Sequence, residues 1–357
     1  MQVITNEVHE NRYLTLNSYY NPDDVVIFDI ETTGFAAETT TLYLIGCAYC
    51  KSNKWYITQW FNDDGSSGKE IIINFFDFIC KYKLLIHYNG DGFDIPYITK
   101  KIKTYGLNYS FSSLESIDIY KNIKPFKNML HLDNLKQKSI ELFLGINRLD
   151  KYSGGDLIKI YREFIKNPDE TRKKLLIQHN YEDIEGLLYC CSMLAYTKLL
   201  DGCLSVEKMS VKDNKLVFSL SLDYELPKRI TIAKRDILIT GYQSNATITV
   251  PIISEELKFY LDDYREYYYL PAEDTAVHKS VASYVDKNYR VPAKRETCYL
   301  KRNGLFITQL NNGIVTGYKR NYKDKESYIE LADSFLQNMD LLNAYARHVI
   351  KLMLTCA

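Results

Sequence analysis

The sequence predicts an α/β protein in its first half, with a mixed β-sheet flanked by helices, followed by a β-rich α+β second half. Three observations lead to this prediction. Apolar runs typical of buried strands alternate with segments of helical periodicity from residue 25 to residue 200. Three strand-like runs precede the first helix, which indicates a meander followed by crossover connections. After residue 212, short alternating runs between polar links are typical of antiparallel sheet.

The elements of the first half follow in order. Residues 1–23 are expected to form a short preamble, with one strand or helix packed on the body. The five predicted strands cover 25–30, 41–50, 54–61, 84–88 and 115–119, and the predicted helices cover 69–82, 94–105, 132–144, 153–166 and 170–200. The short link at 51–53 predicts a hairpin between the second and third strands. Ligands of such sheets bind where strand ends meet at a change of direction, so we expect the site there.

The second half shows a different pattern. Alternating apolar residues predict short strands at 215–222, 229–233, 236–240 and 245–250. Further along, we predict a helix at 275–284, a strand pair at 296–309 that turns at Asn303 and Gly304, and a closing helix at 328–355. The predicted domains are 1–205 and 206–357, and the second has no motif that assigns it a role.

Composition limits the classes of function. The chain has 357 residues, 46% of them hydrophobic, which is enough for a sizeable core. Its 45 Lys and Arg balance 45 Asp and Glu, so a uniformly basic nucleic-acid coat is excluded and polyanion binding has to be local.

Features of targeting and redox chemistry point to the cytoplasm. No apolar run approaches the roughly 20 residues that span a bilayer, and the polar N-terminus is unlike a signal peptide. Cys47 and Cys50 have C-x-x-C spacing, but on a strand they point to opposite faces, so we expect no zinc or redox site there. Scattered free thiols fit a reducing compartment. We therefore expect a cytoplasmic protein without a membrane partner.

The first motif lies at the end of a buried strand. Asp29 and Glu31 follow the apolar run at 25–28 and precede Thr32, Thr33 and Gly34. Carboxylates two positions apart on a strand point the same way, so this pair can share a cation. Glycine lets the following turn approach a ligand closely. The alternative is a solvent-exposed strand end with no ligand.

The second motif follows another apolar run, at 84–88. Asn89 opens a glycine-rich turn that leads to Asp94 at the start of a helix. Asp94 is a candidate metal ligand. The alternative is that it only caps the helix, with Pro96 in the first turn.

The third motif lies on the long helix at 170–200. His179 and Asp183 are four residues apart and share one helical face, where a neutral histidine can orient or deprotonate water. The alternative is an ordinary surface pair. A zinc site needs more His or Cys nearby, and the pattern offers none.

Together the motifs supply four carboxylates, Asp29, Glu31, Asp94 and Asp183, each of which sits where a core element ends or faces a cleft. Buried carboxylates are costly unless cations hold them, and oxygen-rich clusters suit Mg²⁺ or Mn²⁺. Two such ions about 4 Å apart can clamp both oxygens of a phosphodiester displacement. A metal-dependent nuclease is therefore the leading hypothesis.

The order of these motifs resembles a known family. The chain resembles the DEDD 3′–5′ exonucleases of the ribonuclease-H-like superfamily in the segments 28–34, 89–94 and 179–183. Supporting similarity lies between them at 41–46, 117–118, 132–141, 145–148 and 154–155. The likeness covers about residues 24–200 and is greatest to the YprB-like branch. In other branches three residues separate a Tyr from the last Asp, or four residues separate a His from it. Here three residues separate His179 from Asp183, as in the YprB-like pattern.

The resemblance implies a ribonuclease-H-like fold with a five-stranded mixed sheet and 3′–5′ cleavage of nucleic acid by two divalent ions. It implies that the four carboxylates bind the metals and that His179 orients the attacking water. It also implies that Thr32, Thr33, Gly34 and Asn89 contact the terminal nucleotide, with a single-stranded 3′ end as the partner. The alternatives left open are an inactive nucleic-acid-binding or scaffold protein and a structure-specific endonuclease.

Two stretches of the second half mix basic and aromatic residues. One lies at 287–302 and contains Tyr289 and Tyr299, and the other lies at 318–325 and contains Tyr318 and Tyr322. Basic residues near aromatics can hold phosphates while bases stack. The alternative is a solvated face of ordinary charge.

Overall fold

The computed structural model describes residues 1–8, 16, 20–148, 152–310 and 313–355, except for the side chain of residue 355. All statements below refer to these residues.

The chain divides into two compact units. The first comprises Met1–Lys198 with Tyr224–Lys228, and the second comprises Leu199–Asp223 with Arg229–Ala357. The two units are described separately.

The first unit is a mixed sheet with helices, as predicted. Its strands are β1 (Gln2–Glu7), β2 (Val25–Thr32), β3 (Leu42–Lys51), β4 (Lys54–Phe61), β5 (Leu84–His87) and β6 (Glu115–Asp118). Its helices are α1 (Gly68–Ile79), α2 (Asp94–Thr104), α3 (Ile119–Ile123), α4 (Gln137–Leu144), α5 (Gly154–Lys166) and α6 (Glu170–Cys190), followed by α7 (Ala195–Asp201), which runs across the unit boundary.

The sheet has six strands, and the prediction of five was wrong because it omitted β1. The strand order is β1-β4-β3-β2-β5-β6. The strands β1 to β4 pair antiparallel, whereas β5 and β6 join β2 in parallel. The predicted hairpin between β3 and β4 is present, and its two turn residues Ser52 and Asn53 have φ of 52° and 61°, as a type I′ turn requires.

The two faces of β2 have different roles. Val26, Phe28 and Ile30 point into a core formed with α1 and α2. Because side chains alternate along a strand, Asp29 and Glu31 point to the opposite face. There α6 packs against β2 and β3. The register of β2 thus places two carboxylates under α6.

The second unit is β-rich, as predicted, but β8 and β9 are longer than the strands predicted there. The strands are β7 (Leu204–Lys212), β8 (Lys215–Lys234), β9 (Ile237–Pro251), β10 (Ile253–Tyr260), β11 (Tyr267–Leu270), β12 (Thr275–His278), β13 (Val291–Pro292), β14 (Tyr299–Thr308) and β15 (Tyr328–Glu330). They form three three-stranded sheets, β7-β8-β9, β10-β14-β15 and β12-β11-β13. The helices are α8 (Lys279–Ala282), α9 (Asp333–Leu336) and α10 (Met339–Thr355).

Four predictions for this half were wrong in detail. The predicted closing helix at 328–355 begins as strand β15 and continues as two helices, α9 and α10. The four short strands before residue 250 are two long ones, β8 and β9. The predicted helix at 275–284 begins as strand β12. The predicted turn at Asn303 and Gly304 is continuous strand, because both residues pair with β10 opposite Glu256 and Glu255.

The described helices include two long ones, α6 with 21 residues and α10 with 17. Among the described residues, no helix combines the length and apolarity needed to cross a bilayer.

The packing of α6 on the sheet generates a first prediction. A Cβ atom added at Gly46 of β3 would lie 2.1 Å from Asn180 Oδ1 of α6. Gly46→Ala should therefore lower the free energy of unfolding by about 1–3 kcal/mol, because the helix has to shift. At Gly154 an added Cβ meets no atom within 4 Å. Gly154→Ala is the matched control. Denaturant titration measures both, and equal midpoints for the two variants would contradict this account of the packing.

Candidate functional site

The carboxylates of β2 are held by side chains from neighbouring elements. Asn180 Nδ2 of α6 donates to Asp29 Oδ2 at 3.2 Å, and Asn180 Oδ1 accepts from Gln59 Nε2 at 2.9 Å. Gln59 is fully buried on β4, so Asn180 is fixed from both sides. The Tyr43 hydroxyl donates to Glu31 Oε2 at 3.0 Å. Both carboxylates are partly buried and oriented, which excludes the solvent-exposed strand end.

Asp94 is the first residue of α2, and its side chain is turned toward β2. Its Oδ1 accepts from the backbone N–H of Ile30 at 3.3 Å, and only 6% of the residue is exposed. The N-cap position is Phe93, which makes no side-chain cap. Asp94 therefore does not serve as the N-cap of this helix. It joins the end of the loop at 89–93 to the strand that carries Asp29 and Glu31.

The third motif completes the cluster. His179 Nε2 lies 3.1 Å from Asp183 Oδ2 and 3.5 Å from Glu31 Oε1. One ligand atom from each of these three residues lies within 4.8 Å of the others. His179 and Asp183 thus face β2 across the gap between helix and sheet and do not form an ordinary surface pair. The structure brings the four carboxylates of the sequence analysis to one place.

Burial and mutual repulsion set the electrostatics of this cluster. Burial raises the pKa of Asp29 well above its usual range, and the nearby Asp94, Asp183 and Glu31 raise it further. Burial also raises the pKa of Glu31 to about 7, with His179 opposing the shift. It raises the pKa of Asp94 to about 7 as well, although backbone N–H groups favour the charged form.

Asp183 behaves differently. Burial acts to raise its pKa, but hydrogen bonds and charge from His179 and Arg148 outweigh burial and hold the pKa below its usual value. The cluster therefore pairs one firmly ionised carboxylate with three whose ionisation is unfavourable. An oxygen-rich set of like charges is what a divalent cation stabilises, so these residues fit a metal ion.

The sequence analysis did not recognise the cation that supports Asp183. Arg148, which is 8% exposed, donates through Nη1 to Asp183 Oδ1 and through Nε and Nη2 to Glu141. Gln137 Nε2 donates to Glu141 Oε1 at 2.9 Å and to the Asp183 carbonyl at 2.7 Å. Arg148 thus occupies one oxygen of Asp183 and leaves the other facing His179. Arg148 and Glu141 stood within the family resemblance, but only the fold shows that they meet.

A second group supports the loop that leads to Asp94. Asp118 at the end of β6 accepts the N–H of Asn89 at 2.8 Å, and Asn89 has a φ of 57°. The charge of Asp118 also contributes to the raised pKa of Asp94. His87, Asp91 and Asp118 have ligand atoms within 4.8 Å of one another. Lys121 donates to Asp91 at 2.6 Å, which places a cation beside this second cluster.

The residues expected to contact a terminal nucleotide lie in two turns. The Thr32 hydroxyl donates to the Gly34 carbonyl at 2.8 Å, and the Thr33 hydroxyl accepts from the Thr41 N–H at 2.9 Å. These threonines therefore shape the turn after Glu31. Phe35 follows with 90% of its surface exposed and its ring centroid 5.7 Å from that of Phe93. The sequence analysis did not single out Phe35, because exposure is not visible in a composition pattern.

Comparison with known proteins supports the fold of the first unit. Residues 26–194 match the family model described as RNase_H superfamily, so this segment has a ribonuclease-H-like fold. A stretch of 158 residues is 24% identical to DNA polymerase 1 of Aeropyrum pernix, covering 43% of this chain and 15% of the polymerase. The chain therefore matches a small part of that polymerase's length.

Two solved structures are among those similar to this chain. The family B DNA polymerase of Pyrobaculum calidifontis has 12% identity and a TM-score of 0.39, over 72% of this chain and 39% of the polymerase. An E. coli exonuclease I complex with single-stranded DNA has 10% identity and a TM-score of 0.29, over 54% of each chain.

The raised pKa of Asp94 generates a second prediction. A folded-state pKa near 7 means that the folded protein retains a proton that the unfolded chain loses near pH 4, so stability falls as pH rises between these values. In chelator at pH 8, Asp94→Asn should therefore raise the free energy of unfolding by on the order of 2 kcal/mol, with a smaller difference at pH 5. Added Mn²⁺ should stabilise the wild-type protein more than the variant. Denaturant titrations at both pH values measure this, and a variant less stable than wild type at pH 8 would contradict it.

The Arg148 network generates a third prediction. Glu141 is 1% exposed, so Arg148→Met leaves a buried carboxylate without its cation and should cost about 3 kcal/mol of stability. The double variant Arg148→Met/Glu141→Leu should be less destabilised than the sum of its single changes. Lys54→Met, which breaks the exposed pair with Glu7, should cost at most about 1 kcal/mol. Additive effects in the double variant would show that the two charges are not coupled.

Proposed function

We propose that this protein is a metal-dependent nuclease that removes nucleotides from the 3′ end of a nucleic-acid strand. One observation carries the proposal: Asp29 and Glu31 from β2, Asp94 from α2 and Asp183 from α6 lie together beside His179. The elements that meet here are distant in the sequence, and each contributes a carboxylate that is costly to bury without a cation.

The four carboxylates would hold two Mg²⁺ or Mn²⁺ ions. Such ions would lower the pKa of a bound water and stabilise the negative charge that develops on the phosphate. The remaining chemistry belongs to the chain. Asn180 and Tyr43 orient the Asp29 and Glu31 oxygens through hydrogen bonds. His179 and Arg148 favour the ionised form of Asp183 and lower its pKa. His179 places Nε2 next to two of the carboxylates, where it can orient an attacking water.

The proposed substrate rests on two further observations. A segment of this chain is similar to part of a DNA polymerase, a protein whose name places it among those that act on DNA. Phe35 offers an exposed ring next to the turn after Glu31, and exposed aromatic rings stack nucleobases independently of sequence. Among the DEDD exonucleases, the spacing between His179 and Asp183 favours the YprB-like branch as the one that this protein resembles.

A cleavage assay tests the proposal. The purified protein is incubated with 5′-labelled DNA and RNA oligomers in Mg²⁺, in Mn²⁺ or in chelator. We expect a ladder of shortening labelled products that requires metal, and a rate reduced roughly a thousandfold or more in Asp183→Asn. Glu170→Gln is the matched control, because it removes an exposed carboxylate from the same helix.

Two results would count against this function. Cleavage at the wild-type rate by Asp183→Asn would remove that carboxylate from the chemistry. Cutting of closed circular single strands, which have no 3′ end, would replace the exonuclease with an endonuclease.

A further inference from the structure

Three of the ten cations in the mixed basic and aromatic stretches of the second unit are taken up by ion pairs within the unit. Lys301 pairs with Asp274 at 2.7 Å, and Arg302 pairs with Glu330 at 2.7 Å. Arg320 binds both oxygens of Glu255 at 2.8 Å. These cations are neutralised within the unit, so they are not available to a polyanion without breaking an ion pair.

Lys319 is one of the cations of these stretches that make no ion pair among the described residues. Its backbone bonds to Lys258 in both directions at 2.9 Å, which fixes the segment at the edge of β10. Side chains alternate here, since Tyr318 packs on Phe306 and Arg320 lies over the Tyr328 ring. Lys319 therefore points to the other side. Within the described stretches 287–302 and 318–325, it is a half-buried cation that makes no ion pair.

Lys319 lines a cavity of about 410 Å³ together with the aromatic side chains of Tyr260 and Tyr322. The two rings meet edge to face with centroids 5.3 Å apart. Asp262 and the loop at 313–317 complete the wall. A volume of this size suits a drug-sized ligand, and it falls within the range of binding pockets in proteins.

The buried side chain of Gln309 holds the loop at 313–317 in place. Gln309 is fully buried, its Nε2 donates to the Val315 carbonyl at 3.1 Å and its Oε1 accepts the Val315 N–H at 3.3 Å. A Cβ atom at Gly317 would lie 2.4 Å from Gln309 Nε2, so this close approach requires glycine. The cavity is thus preformed, which lowers the entropic cost of binding.

We propose that this cavity binds one nucleotide unit of a single-stranded nucleic acid, with the base against the tyrosines and the phosphate on Lys319. An unpaired, half-buried cation selects an anion, and adjacent aromatic rings select a flat apolar surface. A nucleotide combines the two. Asp262 at the wall can accept a hydrogen bond from an N–H group of a base, such as N3–H of thymine. The inference rests on the proposed function only in taking nucleic acid as the ligand.

Binding of a labelled strand tests the inference without any cleavage. The full chain is titrated, in chelator, into a fluorescein-labelled 16-nucleotide oligo-dT, and anisotropy gives Kd. We expect Tyr322→Ala and Lys319→Gln each to raise Kd about tenfold, because a stacked base or a phosphate contact is lost. Tyr322→Phe keeps a ring and should stay within about twofold of wild type. Lys323→Gln removes an equal charge from an exposed neighbour outside the cavity and is the matched control.

Two further experiments test where the strand binds and whether free nucleotides bind there too. Strands that carry 5-iododeoxyuridine are photo-crosslinked to the protein, and mass spectrometry should find the adduct on the peptides with Tyr260 or Tyr322. Competition with dTMP distinguishes the sources of the nucleotide. If dTMP displaces the labelled strand, the cavity also binds free nucleotides. If dTMP does not displace it, the cavity binds only nucleotides that are part of a strand.

The outcomes separate this inference from the nuclease proposal. Kd values for Tyr322→Ala and Lys319→Gln within twofold of wild type, with both variants folded by circular dichroism, would overturn the nucleotide site and leave the cleavage assay unaffected. Weakened binding in these variants, together with no metal-dependent cleavage by the wild-type protein, would support the site and reject the nuclease.

Discussion

The repulsion among four buried carboxylates is the constraint on which the first unit depends. Asp29 and Glu31 cannot move apart, because the register of β2 fixes both on the face under α6. Asp94 is tied to the same strand through the Ile30 N–H. The surrounding elements therefore carry the donors that offset this repulsion, namely Asn180, Tyr43, His179 and Arg148. A protein that only needed stability would place apolar side chains here, since buried charges are costly.

Much of this arrangement could be predicted from local pattern. The period of two along a strand puts Asp29 and Glu31 on one face, and the period of a helix does the same for His179 and Asp183. Contacts between elements distant in the sequence could not be predicted in this way. The pairing of Arg148 with Glu141 and Asp183, and the support of Asn180 by Gln59, exist only because α4, α6 and the sheet pack together.

The errors in the fold have similar physical origins. Strand β1 mixes polar and apolar residues, none of them fully buried, and among the described strands it pairs with β4 alone, so it lacks the apolar run that marks a central strand. Asn303 and Gly304 have the residues of a hairpin turn, but their pairing with Glu256 and Glu255 of β10 holds them extended. In the second unit, the basic and aromatic pattern alone did not distinguish cations in ion pairs from Lys319 at its cavity, because that depends on partners from other strands.

The central claim is that the clustered carboxylates hold divalent metal. Anomalous diffraction from crystals grown with Mn²⁺ tests it most directly, because the ion is located independently of activity. The account predicts anomalous peaks within ligand distance of oxygens from Asp29, Glu31, Asp94 and Asp183. A map with Mn²⁺ bound elsewhere and no peak among these four carboxylates would contradict it.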